Sequence, residues 1–397
     1  MRGFPRGWLS GAAWVRLTGW LLVGLAIASA HETDNFSLPL DSEMADLGDY
    51  LEAVHTIALE EAVAEINARI ERAIRIGSEA GRARRLEALH DPQTLAETFR
   101  WRFSHPLVED SQLEGALRGR WAREAYAGRE ASHQDFGLHF SAYAALDPRR
   151  WTTLTQSRTI KAYGVYFGTD KLVHFHRLGL AYYCRYRALI KTGLSEEAAY
   201  RQVLEQYSRD GLLSEEALFG TLSTGVYSNA DLAVNHIGFK FFLNLTEEVV
   251  LNGRAQEPLV VRCGVFWRIN RQVYLRSGWF AGFVSDHWNE ALNPSRYEPL
   301  LRAGVRRALQ TRAREIVQFY TRKDGRPEDP DYYDDLAREL ATYHGEPYGH
   351  SGRFEDLMTI GNTCIPALRG AERRRAEEGS VSLGSAGDAG QSGRSRR

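Results

Sequence analysis

The chain has 397 residues, with 50 Lys plus Arg against 51 Asp plus Glu, so its formal net charge is −1. That balance gives no electrostatic footprint for nucleic acid, whose phosphates call for a surplus of cations. The three cysteines, Cys184, Cys263 and Cys364, are too few and too widely spread for a disulfide scaffold or a cysteine metal knuckle. One bridge with one leftover thiol stays open, with no pair favoured.

Residues 1–30 read as a secretory signal. Arg2, Arg6 and Arg16 make a basic start, 17–27 is mostly apolar, and Ala28-Ser29-Ala30 offers a small-x-small cleavage site. The apolar run falls short of the roughly 20 residues that span a bilayer. Cleavage would leave 47 Lys plus Arg against 51 Asp plus Glu. No later stretch supplies a membrane span; the best, 236–245, is short and interrupted by Lys240. The expectation is a chain in the periplasm or secreted, soluble or in peripheral contact with a membrane.

Residues 31–370 carry enough aliphatic and aromatic side chains for one large core or two closely packed subdomains. A loose strap is expected over 31–42, and a disordered Gly/Ser-rich tail over 371–397. Leu47, Leu51, Val54, Ala58, Ala62, Ile66 and Ile70 recur at helical steps, predicting a long helix over 47–89 with a break near Gly77 or Gly81. Asp91-Pro92 starts another. Further helices are expected over 111–127, 170–192, 195–207, 214–222, 228–245 and 297–320. Ser195 and Ser214 stand as N-caps before acidic first turns, and Gly193 is a stop signal. Strand character gathers at 258–275, where a hairpin is plausible. The fold class expected is therefore mainly α, a multi-helix globular protein with a small β-hairpin insertion.

Chemistry-bearing residues concentrate in GTDKLVHFHRLGLAYY (168–183) and YSNADLAVNHIGFKFF (227–242). Ionisable groups among apolar residues are costly unless they pair or meet a ligand. Asp170 and His174 share a helical face, and so do Asp231 and Asn235, with Gly238 further along. A glycine there lets another helix or a ligand approach. Packed antiparallel, the two segments would bring Asp170, His174, Asp231 and Asn235 together, a carboxylate–imidazole pairing that serves acid–base and metal chemistry. Lys171 and His176 point away from that row, Lys171 reading as a snorkelling surface residue, and His236 is offset from its own. Asp286, His287 and Glu290, around Trp288, could line a cleft.

Other patches are weaker. His133, Asp135 and His139 lack the spacing of a zincin. The acidic stretch 324–331 lacks the ligand pattern of an EF-hand. Ser223 and Ser228 have no nucleophile context, and Ser228 or Asn229 reads as a cap. No G-x-S-x-G elbow, P-loop or dinucleotide signature occurs.

Asp170-Lys171-x-x-His174-Phe175 followed by Ser228-x-x-Asp231-x-Ala233-x-Asn235-x-x-Gly238 resembles the VanZ-like and YfiM-like group of bacterial envelope proteins. The resemblance implies envelope association and a shared polar site at Asp170, Lys171, His174, Asp231 and Asn235. This chain is longer than the group's typical members, lacks their membrane-spanning segments or lipoprotein cysteine, and adds His236 within the second motif.

The functional expectation is a polar Asp/His/Asn cleft that binds or hydrolyses an envelope-derived small molecule, lipid or glycan. In a hydrolase, His174 would be the base oriented by Asp170, Asp231 an acid or metal ligand, Asn235 a polarising donor and Lys171 an electrostatic contact. His236, Asp286, His287 and Glu290 would bind ligand. The cofactor is unknown, with a divalent metal the candidate, since it could supply the activated water. The alternative is a noncatalytic scaffold or binding module braced by the same residues.

Overall fold

The computed structural model describes residues 31–103, 126, 129–133, 155–210, 225–274 and 278–387. The expected signal at 1–30, the expected helices at 111–127 and 214–222, and Asp135, His139 and Ser223 lie outside the described residues. The periodic run after Leu47 folds as α1 (Gly48–Ile74), which buries Leu51, Ala58, Ala62, Ile66 and Ile70, the stripe that a 3.6-residue repeat produces. Ser78 then caps α2 (Glu79–His90) by accepting from the Gly81 amide. Asp91 caps α3 (Pro92–Arg100), with Pro92 in the first turn, where a missing N–H costs nothing.

An antiparallel hairpin, β1 (Thr159–Ala162) and β2 (Val165–Gly168), pairs Thr159 with Gly168 and feeds directly into the first polar segment. That segment is α4 (Asp170–Val173), a π-helical turn (His174–Leu178) and α5 (Gly179–Lys191). Gly193, at φ +93°, ends it as expected. Ser195 caps α6 (Glu196–Glu205). The second polar segment is α7 (Asn229–Asn244), capped by Ser228, whose hydroxyl accepts from the Asp231 amide.

Two hairpins follow, β3 (Val249–Leu251) with β4 (Arg254–Gln256) and β5 (Val260–Cys263) with β6 (Phe266–Ile269). The latter is the hairpin expected at 258–275; the former and β1–β2 carried no clear alternation. Helix expected over 297–320 divides at Arg312 into α8 (Pro299–Thr311) and α9 (Ala313–Arg322). Then come α10 (Pro330–Glu339) and α11 (Ile365–Gly387), which runs on into the stretch expected to be disordered. The fold is mainly α-helical with small two-stranded hairpins, as the sequence predicts. All three cysteines are free thiols.

The strap is a correction. Thr33 and Asn35 are fully buried, and Phe36 and Leu38 join the apolar cluster built on α8, α9 and α11. Polar strap residues are drawn in because buried partners await them.

Crossing of the π turn and α5 with α7 sets the geometry of everything polar. A Cβ on Gly238 would stand 2.2 Å from the Phe175 carbonyl oxygen, and one on Gly179 would stand 2.6 Å from the Gly238 carbonyl carbon. The backbones are in contact, the close approach that Gly238 predicts. Gly238→Ala is therefore expected to cost about 1–3 kcal/mol or more in urea unfolding, because backbone cannot yield as a side chain does. Gly77→Ala, with open space around it, should stay within about 0.5 kcal/mol of the parent protein.

Candidate functional site

Lys171 is the centre of the polar constellation. Its Nζ lies 2.8 Å from Asp170 Oδ2, 2.6 Å from Asp231 Oδ1 and 2.5 Å from Glu290 Oε1. The lysine is 0% exposed, so the reading of a surface residue with its stem laid on apolar neighbours is overturned. Each carboxylate comes from a different place. Asp170 opens α4 just after the β1–β2 hairpin, Asp231 stands in the first turn of α7, and Glu290 follows the single 3₁₀ turn Asp286–Trp288.

Backbone pairing holds the last two together. Val226–Tyr227, entering α7, pairs antiparallel with Arg296–Tyr297, leaving the Glu290 segment. The Asn229 side chain donates to the Pro294 and Ser351 carbonyls. The Glu290 amide donates to Asn35 Oδ1, and the Thr33 hydroxyl donates to Asp170 Oδ1 at 2.6 Å. Gly168 leaves room for that last bond, since a Cβ there would fall 1.8 Å from Thr33 Oγ1 and 2.1 Å from Asp170 Oδ1.

His174 stands at the rim. Its Nδ1 lies 3.1 Å from Asn235 Oδ1 and its Nε2 is 3.5 Å from Asp231 Oδ2. Its side chain is 9% exposed, against 3% or less for the four charged groups beside it. Asp170, His174, Asp231 and Asn235 thus converge as the two motifs predict, with one change of partner. Asp231 and Asn235 flank the imidazole, whereas Asp170 turns to Lys171 and Thr33, so Asp170 does not orient His174.

Charge is unbalanced in this volume. Burial opposes ionisation of Lys171, yet Asp170, Asp231 and Glu290 hold its pKa well above the ordinary value. Burial likewise opposes ionisation of Asp170, and the Lys171 ammonium outweighs it, holding that carboxyl below its usual range. Glu290 goes the other way: burial, with Asp231 and Asp170 adding repulsion, pushes it up to about 7 despite Lys171. With one ammonium shared among three buried carboxylates, Glu290 is the one whose ionised form is most disfavoured.

The same three carboxylates each offer an oxygen within 4.8 Å of the others. Such a hard oxygen set suits a Mg²⁺-, Mn²⁺- or Ca²⁺-type ion. Lys171 Nζ sits among all three, however, so a divalent ion fits only where the ammonium withdraws. The cluster is a cation cage, and here the cation is the chain's own.

The remaining expected ligand residues lie elsewhere. His236 is buried on another face of α7, where Nδ1 meets the Tyr200 hydroxyl and Nε2 lies 3.2 Å from Glu346 Oε2. Lys240, one turn on, meets Glu346 Oε1 at 2.8 Å, and hydrogen bonds from His236 and Lys240, with the Lys240 charge, hold that carboxyl down at about 2 against the opposing effect of burial. Asp286 pairs with Arg326, and Asp324 pairs with it too. Asp329 accepts from the Asp331 amide as a helix cap, so this stretch is a set of ion pairs and caps rather than a calcium loop. His287 bonds the Thr342 carbonyl, and His133 sits 3.2 Å from Glu130. Only Glu290 of its patch enters the cage. Thr33 and Asn35 went unread because isolated polar residues in a strap carry no period.

In comparisons with protein families, characterised proteins and solved structures, the chain matches none of them. The VanZ-like and YfiM-like resemblance is therefore corrected. No family model supports it, and among the described residues no helix is long and apolar enough to cross a membrane, unlike that polytopic membrane group. The resemblance therefore lends no support to an envelope association.

Glu290 sets a pH signature. Its folded pKa of about 7 exceeds its ordinary 4.5, so the folded state binds more protons in between. Its contribution to stability is full below about pH 4.5 and is lost as pH rises through about 7. Unfolding midpoints of wild type and Glu290→Gln, measured across that window, should diverge, with the wild type losing ground as pH rises. A constant difference would show that Glu290 is already ionised at the lower end.

Proposed function

We propose that the cage is the acid–base centre of a hydrolase acting on a small molecule, lipid headgroup or glycan fragment. The observation that carries this reading is the surplus of carboxylate. Bracing Lys171 needs one anion, and a third that stays protonated near neutrality is a stored acid.

In this reading substrate arrives at the His174 edge, the least covered part of the cluster. With Nδ1–H donating to Asn235 Oδ1, neutral His174 takes the proton of an attacking water at Nε2. Asp231 stabilises the imidazolium that results. Protonated Glu290 supplies the proton to the leaving group, and Lys171 with Asp170 fixes both carboxylates. Delivery across a membrane by residues 1–30 is proposed from their sequence pattern alone.

One observation favours a second reading. Lys171 is wholly buried and ties α4, α7 and the Glu290 segment into one unit, which a noncatalytic scaffold would also use. p-Nitrophenyl acetate, p-nitrophenyl phosphate and p-nitrophenyl glycosides separate the two. A hydrolase turns over at least one of them, and His174→Ala lowers that rate by about 100-fold or more with its unfolding midpoint nearly unchanged. Absence of turnover by the wild type, with His174→Ala markedly destabilised, would favour the scaffold.

A further inference from the structure

On the far side of the π turn from the cage lies a second, unused pair of ionisable groups. His55 of α1 and His176 of the π turn meet Nε2 to Nε2 at 2.9 Å. They are 1% and 6% exposed. His55 Nδ1 lies 2.7 Å from the Leu51 carbonyl oxygen, which fixes its proton there and leaves Nε2 as an acceptor. His176 must then donate from Nε2, and its other polar neighbour is the Leu172 backbone. The neutral pair is a one-directional chain, and one further proton from solvent would settle on His176 Nδ1.

That proton would enter an apolar box. The His55 ring stacks on Phe280 at 3.7 Å between centroids, and the His176 ring stacks on Phe103 at 4.2 Å. Phe175 and Phe241 meet the His55 ring edge-on. Among the described residues, α1, α7 and the 3₁₀ turn Phe280–Phe283 present rings and a carbonyl to the pair, and α3 presents Arg100, a like charge. No carboxylate faces it among the groups that bear on either ring. Aromatic faces attract a buried imidazolium only weakly, and the Leu172 backbone hydrogen bond offsets less than the burial costs, so the charged pair must loosen its surroundings to reach water.

The π turn makes this consequential. Its Gly179 amide bonds the His174 carbonyl, five residues back. Within three consecutive residues, His174 faces Asp231, Phe175 packs 5.5 Å from Trp288, and His176 faces His55. We infer that the His55–His176 pair is an acid-sensitive latch on the turn that carries His174: neutral, it clamps the turn to α1, and on proton uptake it releases it. This holds whether or not the cage is catalytic. Burial drives the titration, pushing His55 down to about 3 and His176 well below its ordinary range. The latch is therefore fully engaged above about pH 6.5 and weakens as pH falls from there.

Hydrogen exchange of the full chain, read by mass spectrometry at about pH 7.5 and about pH 5 and corrected for intrinsic rates, tests this. Amides of 172–180 are expected to exchange about tenfold faster at the lower pH, while those of the β5–β6 hairpin keep their protection. His55→Leu/His176→Leu should abolish the difference. A wild-type ratio at 172–180 within about twofold would overturn the inference whether or not the variant folds. A pH response retained in a folded variant would overturn it equally, by placing the titration elsewhere.

Discussion

A single ammonium holds this molecule's polar interior together. Lys171 Nζ is shared by carboxylates from the start of α4, the first turn of α7 and the loop after the Asp286–Trp288 turn. These segments are separated by 60 residues or so each, and the shared ammonium fixes their register against one another. An ion buried from water has no partner but those it carries in with it, which makes the arrangement all-or-none. Thr33 and Ser228 donate to the Asp170 and Glu290 carboxylates, and Asn35 accepts from the Glu290 backbone amide.

The glycine crossing serves that ion. Contact of the Phe175 and Gly238 backbones places the α4 and π-turn side chains within reach of the Asp231–Asn235 row. The widened turn then distributes three neighbours among three partners: His174 to the cage, Phe175 to Trp288, His176 to His55. Successive helical residues are rotated by roughly 100°, so three in a row face three different neighbours. Events on the α1 side of the turn are consequently mechanically continuous with the cage.

Much of this was legible in the residues. Helical steps in α1, cap signals at Ser195 and Ser228, and the stop at Gly193 are local and were read correctly. So was the convergence of Asp170, His174, Asp231 and Asn235, because i,i+4 polar pairs beside a glycine announce a buried crossing. The centre was missed. Lys171 lies off the Asp170–His174 row, and an isolated lysine reads as solvated unless its partners are known, two of which are 60 and 119 residues away. The partners of His236 were not legible because helical offset says which face a residue takes, and not what α6 and the turn at Glu346 will put against it. The family resemblance failed for a related reason: short polar motifs recur wherever two helices bury an ion pair, whatever surrounds them.

Lys171 is the charge-bearing keystone of the cage, and a mutant cycle in urea unfolding tests that role most directly. Lys171→Met strands three buried carboxyls and should cost about 3–5 kcal/mol; adding Asp170→Asn and Glu290→Gln, which replaces two of those acidic groups by neutral amides, should recover a good part of the loss. A Lys171→Met protein within about 1 kcal/mol of wild type, or a triple variant whose loss is simply the sum of its parts, would contradict it.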